Sequence, residues 1–127
     1  MDQNKTRVDY IINLTPHVIR IYDDKTRIDP LRDKPLLTIK PERVEARSRS
    51  RNIPTGFIMK GGVSIPTGIK IHTEVTNLPR EQWGTIYIVS HLVASQMAGR
   101  KDLYVVLDRV VDSQNGVVGC RKLGQLP

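Results

Sequence analysis

Between Gly84 and Leu107 the chain reads GTIYIVSHLVASQMAGRKDLYVVL, and no other stretch restricts the possible folds as much. Ile86, Tyr87, Ile88 and Val89 form a continuous apolar run, rich in β-branched residues and too short for a helix, which predicts a buried strand. Ser90 then stands at an N-cap position ahead of Leu92, Val93 and Met97 at one-face helical spacing. Gly99 stands where a C′ residue belongs, and Arg100 and Lys101 suit the negative end of such a helix. Leu103 to Leu107 resumes the strand pattern. One β-α-β unit is expected here, with the rest of the chain arranged around it.

Upstream, residues 1–9 are polar and expected to be a loose tail. Tyr10 to Tyr22 predicts two strands around a Thr15-Pro16-His17 corner, because Pro16 interrupts pairing and Ile19 and Ile21 alternate with Arg20 and Tyr22. Residues 23–35 form a charged, proline-bearing segment expected to be mobile. Leu36 to Ile39 predicts a short strand ended by Pro41. From Val44 to Arg51, Val44, Ala46, Ser48 and Ser50 fall on one side and Glu45, Arg47, Arg49 and Arg51 on the other. The tetrapeptide Ile-Pro-Thr-Gly occurs at 53–56 and again at 65–68. The pair predicts two similar turns around a hairpin or arm. Ile69 to Val75 alternates as a strand with one polar face. Downstream, Asn115-Gly116 between Val110-Val111 and Val117-Val118 is a type I′ hairpin signal. The last strand is expected to end near Cys120-Arg121, with residues 122–127 a loose tail.

These elements predict a single α+β domain over 1–127, a mixed or mostly antiparallel sheet with one short helix packed on it. The length suits one domain with a real core. MDQNKTRVDY lacks the apolar core of a signal peptide and no run approaches membrane-spanning length, so a cytoplasmic protein with no membrane partner is expected. A lone cysteine fits a reducing compartment and excludes a cysteine-based zinc cluster. The formal charge is +7, and residues 1–60 hold 13 of the 20 Lys and Arg. That balance favours anionic partners such as nucleotides, nucleic acid or an acidic protein face.

Four groups of residues could carry chemistry. The Ser90-His91 helix start could hold a phosphate, although a capping serine is commonly only a cap. Asn13, Thr15 and His17 could converge at the corner, or simply close a tight turn. Arg47, Arg49 and Arg51 would form a guanidinium ladder suited to phosphates, or a charged edge that resists aggregation. His72 and Glu74, two apart on one predicted strand face, could act as an acid–base pair. Glycine-rich phosphate loops, dinucleotide fingerprints, metalloprotease helices and nucleophile elbows are missing from the sequence. No catalytic set, metal site or cofactor is therefore expected. With no two aromatics at spacing two on any strand, base stacking is disfavoured and any nucleic-acid binding would be charge-driven.

Several of these residues recur as an ordered set: Asn13-Leu14-Thr15-Pro16-His17, Val75 to Pro79, the Tyr87 to Ala94 stretch, Gly99 to Asp102, and Gly116 to Arg121. In this the chain resembles a family of small, largely uncharacterised phage and bacterial proteins. The likeness covers 13–22 and 69–121 and does not extend over the basic stretch 23–68. The resemblance implies a phage-type accessory role and a shared polar site drawn from Asn13, Thr15, His17, Ser90 and Arg121. The expected function is non-catalytic binding of an anionic phosphate-bearing ligand, such as a host-defence signalling nucleotide, with His91 and the three arginines joining that site. Two other classes stay open: an inhibitor docking a basic arm on an acidic host protein or nucleic acid, and a small phosphodiesterase-like enzyme using a histidine. Homo-oligomerisation is compatible with each.

Overall fold

A computed structural model of the chain describes residues 6–23, 29, 32–112 and 116–127. Strands take 55% and helix 5% of the described residues, so the protein is mainly β and the α+β expectation is corrected. The reason lies in how the sheet buries itself. Six strands run in the order β1 (Tyr10–Asn13), β6 (Thr85–Ile88), β7 (Leu103–Asp112), β8 (Gly116–Gly124), β2 (Ile19–Ile21) and β3 (Leu37–Ile39). The two ends of that sheet come back together. Pro41, just past β3, bridges to Asn13 at the end of β1, and Glu42 N–H donates to the Asn13 carbonyl at 2.9 Å. A sheet rolled this far encloses part of its apolar side chains itself, so one short helix suffices for the remainder.

The predicted β-α-β unit is present. β6 and β7 are parallel neighbours joined through α1 (His91–Gln96), whose N-cap Ser90 accepts from Val93 N–H at 3.2 Å. The apolar run is continuous because β6 is buried on both faces. Tyr87, Val89, Leu103 and Val105 pack with Leu14, Ala46 and Val93 beneath α1. Ile88 packs inside the rolled sheet with Ile19 and Cys120. Helix α1 stops earlier than the glycine suggested, at Gln96, while Gly99 comes afterwards in a left-handed turn at φ +95°. Arg100 does not serve the helix end. It makes a two-pronged bond to Asp102, 2.7 Å on each prong, and donates to the Pro79 carbonyl at 2.9 Å.

The second departure is larger. β4 (Arg47–Lys60) and β5 (Val63–Thr76) pair only with each other, as an antiparallel ribbon of fourteen-residue strands standing apart from the six-stranded sheet. At about 3.4 Å per residue the ribbon is roughly 45 Å long. Both Ile-Pro-Thr-Gly segments lie inside these strands, and the reversal itself is Gly61-Gly62, with φ of +54° and +79°. Bulges interrupt the register between Arg49 and Ser50 and between Pro54 and Gly56. Only the base of the arm joins the core, through Ala46 and Val75.

At the C-terminus β8 continues to Gly124, and the Gln125 amide donates to the Lys101 carbonyl at 2.5 Å, so the strand outlasts the expected end near Arg121. The β7–β8 hairpin pairs as expected, while Asn115 of its turn lies outside the described residues. So do residues 24–28, 30 and 31 of the charged 23–35 segment, and residues 1–5.

Candidate functional site

β1 and β6 are parallel neighbours, paired from Tyr10↔Thr85 to Asn13↔Ile88. Parallel strands deliver the segments at their C-terminal ends to the same edge of a sheet, which is where ligands gather in sheets of this kind. Here those segments are the Thr15-Pro16-His17 corner on one side and Ser90-His91 on the other. The two border a groove of about 950 Å³. Its floor is apolar, built by Val18, Ile19, Val89, Val106, Gly119 and Cys120, and Arg20, Arg109 and Glu45 complete its polar rim. The His91 ring is held over the floor by a 3.3 Å contact from Nε2 to the Val106 carbonyl.

Arg20 and Arg109 form no ion pair or side-chain hydrogen bond among the described residues. Neither stands out as a site residue in the sequence. A signal for Arg109 exists all the same: Asp108-Arg109 interrupts the apolar run of β7, and Asp108 adopts φ +55°, a left-handed conformation that aspartate tolerates better than most residues. The kink skips one position of the pairing, from Leu107↔Lys122 to Arg109↔Cys120.

The expected site residues separate into three groups. Thr15, His17, Ser90 and His91 line the groove. Asn13 does not. Its side chain is 1% exposed, and its amide donates to the His17 carbonyl at 2.7 Å and the Ile39 carbonyl at 3.1 Å. Its Oδ1 accepts from Thr15 N–H at 2.9 Å and Thr15 Oγ1 at 2.6 Å. Asn13 therefore builds the corner from behind. Arg121 on β8 is likewise outside the groove lining.

The arginines fall elsewhere. Arg47 and Arg49 line a second groove of about 510 Å³ at the arm base, with Arg43, Ser48 and Asn77. Arg47 is engaged by Glu45 at 2.7 Å and Arg49 approaches Glu74 at 3.9 Å. Arg51 stands exposed further along the arm. Glu45, which lines both grooves, is the link between them. His72 and Glu74 do not share a face, because the bulge at Thr73 intervenes. His72 lies opposite Ser50 and contacts Ser48 Oγ at 3.1 Å, whereas Glu74 lies opposite Arg49.

The floor has one titratable group. Burial pushes the Cys120 thiol above its ordinary range, with Asp108 adding to the rise and the Lys122 backbone opposing it. The unfolded chain therefore loses this proton first as pH rises past about 8.5. Folding stability is expected to hold its full Cys120 contribution below that pH and to fall as pH climbs toward the folded value. Urea unfolding from pH 7 to pH 10 measures this, and a Cys120→Ala variant lacking the decline isolates the thiol.

Comparison with family models, with curated proteins and with solved structures gave no match. No helix among the described residues is long and apolar enough to cross a membrane. No cluster of three metal-ligating side chains occurs among them either.

Proposed function

We propose that the protein binds a small phosphate-bearing anion in the 950 Å³ groove and holds it without chemical change. The observation that carries this reading is the meeting of the Thr15-Pro16-His17 corner and the Ser90-His91 segment around an apolar floor, with two guanidiniums on the rim that no described residue engages. The volume lies in the range of small-molecule sites, and an apolar floor with a few convergent polar groups is their usual composition. A nucleotide suits both parts: its base covers the floor, and its phosphate meets Arg20 and Arg109 as charge-assisted bonds. Helix α1, with six residues, contributes little field, so the arginines rather than the helix end supply the charge.

In the setting suggested by the sequence resemblance, the protein would sequester a host signalling nucleotide in the cytoplasm. An acidic protein or nucleic acid docked on the arm base ranks second, because Arg47 and Arg49 already face carboxylates.

Titration calorimetry at low salt against a panel of mono-, di- and cyclic nucleotides tests the proposal. One member is expected to bind, and Arg109→Ala to weaken it by about 10- to 100-fold, the worth of one charged hydrogen bond. Arg51→Ala, on the exposed arm and outside both grooves, is expected to leave it unchanged. Silence across the panel, or equal loss from both substitutions, removes the reading.

A further inference from the structure

The ribbon carries a continuous, exposed apolar face. Strand alternation and the observed register put Ile53, Ile58, Val63, Ile65, Ile69 and Ile71 on one face. Each of the six is between 38% and 60% exposed. Together they present on the order of 500 Å² of aliphatic surface per chain, at the upper end of the largest patch on a soluble monomer, where such patches commonly mark contact sites. Two-stranded ribbons are also marginal in water unless a face is covered.

We infer that this face is the dimerisation surface of the protein, covered by the same face of a second copy running antiparallel to it. Three observations select that occupant. Two such faces bury on the order of 1,000 Å² in total, the lower bound for a biological interface. Pro54 lies on one strand and Pro66 on the other. Each removes an amide donor from its edge, so adding a further strand edge-to-edge is disfavoured and the flat face is left for contact. Charge then sets direction. Lys60 sits at the tip, opposite Val63, and Glu74 sits at the base beside Arg49, on the same aliphatic face, which Arg51 opposite Ile71 also shares. Antiparallel stacking about the middle of β5 brings Lys60 of each copy to Glu74 of the other and lays Ile65 over Ile71. It also lays Arg51 over the aliphatic Ile58 end of the other copy, whereas parallel stacking would set Lys60, Arg49 and Arg51 each against its own counterpart.

Sedimentation of the full chain tests this, with a mass near twice 14.4 kDa expected. Ile65→Lys combined with Ile69→Lys is expected to weaken the dimer by about 100-fold or more. Both side chains are exposed in the single chain, so an unchanged melting temperature at low concentration would verify folding. Lys60→Glu and Glu74→Lys are each expected to weaken the dimer, and their combination to restore it. A carbodiimide cross-link between Lys60 and Glu74 of different copies would report the same contact. A wild type that stays monomeric overturns the inference, and one that does so while binding lipid vesicles assigns the face to a membrane surface. A dimer indifferent to the lysine pair overturns it equally. Charge exchange without restoration overturns the antiparallel alignment. None of these outcomes depends on whether the groove binds a nucleotide.

Discussion

Asn13→Asp is expected to destabilise the fold by about 4 kcal/mol. The native amide satisfies two carbonyl oxygens, those of His17 and Ile39, in a site with almost no solvent access. A carboxylate of the same shape offers no donor, withdraws both of these bonds and places its own charge against the two oxygens. Each buried polar group left unpaired costs about 1–3 kcal/mol, and a charge costs more. Chemical denaturation at pH 7 measures the loss. Asn13→Asp should also recover part of its stability as pH falls, since protonation restores one donor. A loss below about 1 kcal/mol would mean that the corner and β3 are not tied through this side chain.

Arg100→Met is expected to cost about 2–3 kcal/mol, somewhat below the loss usual for breaking a fully buried pair. The Arg100 and Asp102 side chains are 16% and 10% exposed, so a little solvent remains to screen what is left. The hydrogen bond to Asp102 is the main reason the Arg100 guanidinium titrates above its ordinary value. Methionine keeps the aliphatic stem but strands the carboxylate and releases the Pro79 carbonyl. Arg100→Met with Asp102→Leu should lose less than Arg100→Met alone, because the stranded charge is gone. A double-mutant cycle in urea measures that coupling, and strict additivity would show that the two side chains act independently.

How much of the fold and site is legible in the sequence depends on how local each signal is. The β-α-β unit can be read because its strand run, cap and resumed strand are contiguous. The corner can be read because Pro16 cannot pair. The arm is only half visible. Its hairpin character is expected, yet the Ile-Pro-Thr-Gly segments read as turns, since proline and glycine usually end a strand. In a two-stranded ribbon each strand keeps one free edge, and there a proline loses nothing. Rolling of the sheet is invisible because the Asn13–Pro41 closure joins elements whose pairing no local pattern encodes. The same limit explains the arginines. Alternation correctly aligns Arg47, Arg49 and Arg51 along one strand, but their distance from the Ser90-His91 groove is set by β4 leaving the sheet to pair with β5.

The ribbon departs from the domain at Arg47 and comes back at Thr76, two positions directly opposite one another. To the rolled sheet, then, the whole excursion is one narrow doorway whose width does not depend on how far the chain travels beyond it. Residues added to both strands in matched numbers would extend the reach of the protein while leaving the groove untouched. Two additions per strand keep every side chain facing as before, whereas one would turn the greasy side outward to the wrong neighbour. The basic middle of the sequence is thus free to change in length in steps of two, on a timetable separate from that of the pocket.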